Sequence, residues 1–211
     1  EPFGIFKFNH SSIESLDYKI GFRYHYYELD TDNYTTKTSL SSDDRQNYAW
    51  SAGANYNLEN GQNLFAHISR AYRSPRLDEI ISLISPTPGH THIEHQYSND
   101  IELGYEVIEK KRRYKASIFR TLIKNQIYLN QTSLNNENFD PSVHQGLEIE
   151  FDQSILSNLN FKSNATFIDS RFTQGNEKGN ETSYVPSVSG NVSLDYDLDS
   201  QTNTSLGYKY M

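Results

Sequence analysis

The sequence has no cysteine, and only one methionine and one tryptophan. Without cysteine there is no disulfide, no thiolate nucleophile and no thiolate metal site. That absence suits a chain that passes through an oxidising compartment. Long hydrophobic runs are missing too: none approaches the ~20 residues of a membrane-spanning helix. Positive charge is in deficit, with a net charge of −8. This argues against nucleic acid as a partner, because phosphate binding needs a basic face. The one basic run, Lys110-Lys111-Arg112-Arg113, reads as a solvated turn. No sustained helical period occurs, and only Leu77 to Ile84, after Pro75, suggests a helical turn. His-Glu-x-x-His, Gly-x-Ser-x-Gly and phosphate-loop motifs are all missing.

What is present is aromatic and alternating. There are 16 Tyr and 11 Phe in 211 residues, too many for a disordered chain. Tyr18, Ile20, Phe22, Tyr24 and Tyr26 alternate with Asp17, Lys19, Gly21, Arg23 and His25. Period two marks a strand with one apolar and one polar face. It returns at Tyr48–Tyr56, Ile101–Val107, Leu147–Phe151, Leu159–Phe167, Val192–Tyr196 and Leu206–Tyr210. With less regular segments near 3–9, 62–72 and 113–128, about ten strands are expected.

The expected connections alternate in length. Short ones fall at 10–16, 59–61, 110–112, 153–157 and 199–202, and long ones at 30–46, 73–98, 130–142 and 171–187. An antiparallel meander across a slab places all short turns on one side and all long loops on the other. Transmembrane barrels have this asymmetry, with tilted strands of about 9–11 residues and aromatic girdles. The expected fold is therefore all-β: an antiparallel transmembrane β-barrel, with about ten strands of a larger barrel. Residues 1–211 read as part of a single barrel domain. A soluble β-domain is the alternative; it would have no reason to sort its loops by side. In a barrel the polar faces line the lumen, here with Arg23, His25, Glu102, Glu106, His144, Glu148, Glu150, Asp152 and Asp195. So many inward charges imply a wet or plugged interior.

Five segments, in order, carry a family resemblance. They are "KIGFRYHYYE" (19–28), "AHISRAYRSPRLDEI" (66–80), "YSNDIELGYEV" (97–107), "FDPSVHQGLEIEF" (139–151) and "YVPSVSGNVSLDYDL" (184–198). Together they resemble the barrel domain of TonB-dependent outer-membrane receptors, where an Arg-Pro segment closes one strand and an "ElGy" segment opens the next. The resemblance implies a bacterial outer-membrane location and contact with membrane lipid. It also implies coupling to the TonB system through a plug domain, and uptake of a scarce solute such as a ferric siderophore, haem or a metal, with no bond chemistry and so no enzyme. The family's plug, its TonB-binding box and its closing strands have no counterpart here, so a mid-barrel fragment is expected. A passive channel or structural barrel is the rival within the membrane, and a soluble β-domain with a His-rich metal site is the rival outside it.

Two groups of candidate site residues follow. Arg73, Arg76 and Glu79 fall at the outer rim on either side of Pro75, either as a solvated rim cluster or as direct ligand contacts. His90, His92 and His95, with Glu94 between, lie in the loop before the "ElGy" strand. Imidazoles suit zinc, copper and haem iron, and three protein ligands can hold a metal. Members of the resembled family that take up haem or zinc place a histidine in this loop. The plainer reading is three exposed histidines. No cofactor is required; haem, zinc or an iron chelate would be the transported ligand.

Overall fold

The computed structural model describes residues 3–9, 15–33, 38–80, 93–131, 134–199 and 201–211. Ten strands form one antiparallel sheet: β1 (Phe3–Asn9), β2 (Leu16–Asn33), β3 (Thr38–Asn57), β4 (Gln62–Arg73), β5 (Gln96–Glu109), β6 (Arg112–Lys124), β9 (Ser142–Leu156), β10 (Leu159–Phe172), β11 (Val188–Asp197) and β12 (Asn203–Tyr210). Each lies beside its neighbour in the chain, except that β7 (Ile127–Asn130) and β8 (Asn135–Asn138) form a separate hairpin between β6 and β9. Among the described residues β1 and β12 do not pair with each other, so the sheet is open.

The turns follow local chemistry. Asn60 and Gly61 adopt φ of 61° and 73°, as a tight hairpin requires. A Cβ on Gly61 would sit 2.1 Å from the Ile108 carbonyl oxygen, so no other residue fits there. Pro75 lies two residues past the end of β4 and opens the way to α1 (Leu77–Ile80), the helical turn expected there.

Three segments depart from the expected pattern. β2 and β3 continue as a ribbon through Asn33 and from Thr38, where a long polar loop was expected over 30–46. The sequence there is mostly Ser, Thr, Asp and Asn, and backbone pairing needs no apolar alternation. β6 stops at Lys124 rather than 128, because Asn125 turns into the left-handed region at φ 55°. The long connection expected over 130–142 instead contains β8, Asn135–Asn138.

A sheet this large, if soluble, would cover its apolar face with a second layer. Here no second layer exists among the described residues. The buried hydrophobic residues are Ile80, Ile93, Val143 and Phe172, all beyond one end of the strands' apolar stretch. Meanwhile Ile118 is 58% exposed, and Leu103, Leu147, Ile149 and Phe167 are exposed beside it in paired register.

This apolar face has polar limits. On β6, Tyr114, Ala116 and Ile118 lie between Arg112 and Arg120; on β9, their partners Phe151, Ile149 and Leu147 lie between Gln153 and Gln145. Arg112 to Arg120 spans about 27 Å of strand at ~3.4 Å per residue. Tilted by about 40°, that gives a band roughly 21 Å tall, close to the ~25 Å band of outer-membrane barrels.

Candidate functional site at the outer rim

The opposite, luminal face is charged and internally paired. Arg113 reaches Glu106 at 2.6 Å, Glu150 at 2.9 Å and Asp152 at 3.6 Å. Lys115 sits 3.5 Å from Glu150, and Lys162 sits 2.8 Å from Asp195. Half of the basic run is therefore not a solvated turn: Lys110 and Lys111 form the turn, while Arg113 points inward and anchors three acids. His144, further toward the rim, is half-buried, and its Nε2 has no hydrogen-bond partner.

At the rim, β4 ends and the chain must turn. The backbone N–H groups of Glu79 and Ile80 both donate to the Arg76 carbonyl, at 3.0 and 3.2 Å. The Glu79 carboxylate reaches back and accepts the Arg76 backbone N–H at 2.8 Å. This is the return half of a capping box. The same carboxylate accepts a bond from the Arg73 guanidinium. Glu79 is nearly buried, with a side chain 10% exposed. Burial pushes its carboxyl pKa up, but the Arg76 N–H and the Arg73 guanidinium together outweigh burial and hold it below the usual carboxylate range.

Arg73 and Glu79 thus form a strut that folds the rim. Arg76 differs: its side chain is 70% exposed, with Asp78 at 3.5 Å and Glu79 at 3.9 Å. Of the three rim candidates it has the most exposed side chain.

Of the three histidines, His90 and His92 lie outside the described residues. His95 is half-buried, and its Nδ1 lies 2.8 Å from the Asn47 amide nitrogen. Tyr97 Oη donates to Asn47 Oδ1 at 3.1 Å, which orients that amide with its N–H₂ toward the imidazole. His95 Nδ1 is therefore an acceptor, and the neutral ring carries its proton on Nε2. Ligation of a metal through Nε2 requires that proton to move or leave.

Sequence reasoning missed the residues that hold this rim together. Asn47 is 1% exposed. Asn136 Nδ2 donates to the Glu79 carbonyl at 3.3 Å, and Asn138 bonds the backbone of Glu94 in both directions. Asn125 donates to Glu94 Oε2 at 2.6 Å. Asparagine in a polar stretch signals a turn, and nothing in the sequence shows which backbone it will satisfy. Tyr128 stacks on Phe139 at 3.6 Å between ring centroids, and Phe139 meets Phe172 at 5.5 Å. These rings pin the β7–β8 hairpin to the end of β10.

The barrel family described as "TonB dependent receptor-like, beta-barrel" matches residues 3–210. The chain belongs to the TonB-dependent receptors. No curated protein sequence matches it. Among solved structures it resembles the copper transporter OprC, with TM-score 0.74 and 14% identity over 92% of this chain and 31% of that one. The ferric yersiniabactin uptake receptor FyuA from Yersinia pestis gives TM-score 0.69 and 18% identity over 89% of this chain and 30% of that one. The siderophore receptor PirA from Pseudomonas aeruginosa gives TM-score 0.66 and 18% identity over 96% of this chain and 44% of that one. The chain spans about a third of the length of OprC and FyuA. The sheet of this TonB-dependent receptor is accordingly a section of barrel wall, and the expected all-β antiparallel barrel architecture is the one found. The family is one of receptors rather than catalysts, in keeping with a site built from rim charges and loops.

Proposed function

We propose that the protein containing this barrel section is a bacterial outer-membrane receptor. It takes up a scarce solute (an iron chelate, haem or a metal) with energy delivered by the TonB system through a plug domain. The observation that carries this reading is the single sheet, apolar outward between polar limits and charged inward, in a chain of the TonB-dependent receptor family. A passive channel would share the wall but need no plug. The resembled proteins carry copper, ferric yersiniabactin and siderophore in their names, which supports a metal or metal chelate as the solute class.

On this proposal the ligand meets the outer rim, with Arg76 as an open cation and His90, His92 and His95 as candidate metal or haem ligands. Arg73 and Glu79 hold Arg76 in place. The test is a titration of the detergent-solubilised full-length receptor with haemin and with zinc, beside a variant carrying His90→Ala, His92→Ala and His95→Ala. Saturable binding that the variant loses supports a metal or haem receptor with its site in this loop. Equal binding by both proteins, or none, removes the histidines and leaves a ferric siderophore, for which Arg76 is the residue to test.

A further inference from the structure

The sequence holds a single Asn-Gly pair, Asn60-Gly61; every other asparagine precedes a residue with a side chain. That difference is chemical. A backbone nitrogen can attack the side-chain amide of the asparagine before it. Glycine, lacking Cβ, shields its nitrogen least and rotates most freely. Both residues are exposed to water at the β3–β4 turn.

The folded turn withholds this attack. Asn60 has φ 61° and ψ 34°. At that ψ the Gly61 nitrogen stands nearly opposite the Asn60 Cβ across the Cα–C bond, so no side-chain rotamer brings Cγ to it. Only a large rotation about ψ would bring the two together. Two contacts oppose that rotation. The Leu58 N–H donates to the Gln62 carbonyl at 2.8 Å and closes the hairpin across the pair. Gly61 packs so tightly on Ile108 that a Cβ would lie 2.1 Å from the Ile108 carbonyl oxygen. Reaction therefore requires the hairpin end to open, and local opening carries its own free energy.

We propose that Asn60 is a deamidation site gated by the fold, protected in the finished wall and reactive in a chain that has not closed this turn. The Gly61 nitrogen, its proton lost to hydroxide, bonds to Asn60 Cγ. The Cγ–Nδ2 bond breaks, and ammonia leaves after taking a proton from water. The succinimide so formed is then opened by water in one of two ways. Opening at Cγ leaves aspartate, which suits the same turn. Opening at the backbone carbonyl carbon leaves isoaspartate, whose main chain runs through Cβ and is longer by a methylene. That extra length falls beside the Asn57–Asn63 pair, where the register of β3 on β4 begins. A slip of register there would turn the side chains of β4 to the wrong face. The gate acts on assembly of the wall and is independent of the solute carried.

The test ages the full-length receptor at mildly alkaline pH, either folded in detergent or unfolded in guanidinium chloride. The peptide covering residues 59–62 is then read by mass spectrometry. Conversion of amide to acid is expected to run about tenfold or more faster in the unfolded chain. The other asparagines, with bulkier neighbours, serve as slow internal standards. Aged chains are next refolded, and isoaspartate at residue 60 is expected to be depleted from the folded fraction while aspartate is retained. Equal rates in the two states would overturn the gate, and no conversion in guanidinium would overturn the site itself. Isoaspartate equally abundant in the folded and unfolded fractions would overturn the effect on assembly.

Discussion

Asn138 grips the backbone of Glu94 with both ends of its side-chain amide. Its Oδ1 accepts the Glu94 N–H at 2.8 Å, and its Nδ2 donates to the Glu94 carbonyl at 3.1 Å. The amide imitates one rung of a β-ladder for a residue that has no strand beside it. Asn136, two positions earlier, bonds the Glu79 carbonyl. Two asparagines on β8 therefore fix both flanks of residues 81–92, where the chain is buried at Ile80 (4% exposed) and Ile93 (1%).

Asn138→Ala is expected to free this clamp. Each lost hydrogen bond costs about 0.5–1.5 kcal/mol. Hydrogen exchange at the Glu94 amide of the full-length receptor should speed up, while exchange within β4 and β5 stays as it was. Unchanged exchange at Glu94 would mean the clamp contributes nothing.

Glu79 makes the rim pH-dependent. Its folded-state pKa lies below the ordinary carboxylate value, so it contributes stability that is present above that value. The contribution is lost as pH falls through the lower folded pKa. Protection of the Arg76 amide should therefore decline in acid, and Glu79→Gln should start low and respond little to pH. An equal acid response in the variant would place the sensitivity elsewhere.

Ile149 and Glu148 are adjacent and face opposite ways. Ile149→Arg puts a charge at the middle of the apolar band and should cost about 2–4 kcal/mol in urea unfolding of the receptor in lipid vesicles. Glu148→Gln, on the luminal face, should change stability little. If Ile149→Arg were equally mild, the outward face would not meet lipid.

Gly146 has no room for a side chain, since an added Cβ would sit 1.9 Å from the Phe167 carbonyl oxygen. Gly146→Ala should push β9 and β10 apart and destabilise by about 1–3 kcal/mol, the usual cost of overpacking. The melting temperature of the full-length receptor reads this directly, and no shift would show that the backbone yields freely.

Seven of the ten strands were legible because each alternates apolar and polar residues over enough length to identify its faces, as at Ile101–Val107, and the other three were legible as less regular segments between them. The helical turn after Pro75 was legible through proline's own constraint. The extended β2–β3 ribbon was not, because a polar strand paired through its backbone looks like a loop. The β7–β8 hairpin was hidden for a similar reason: a run of asparagines signals turning, and its pairing depends on contacts with residues 44 and 57 positions away. At the candidate site, residue type identified Arg73, Arg76 and Glu79 as a cluster. Only geometry separated the strut, Arg73 with Glu79, from the open cation, Arg76.

Strand order in the sheet follows chain order, apart from the small hairpin between β6 and β9. Every strand therefore finds its partner by closing one nearby turn or loop, and none must wait for a distant segment. Such a wall can be laid down one strand at a time, each new edge templating the next. The rate at which it enters a membrane would then be governed by its slowest single addition, for which the longest gap, 22 residues between β4 and β5, is the natural candidate.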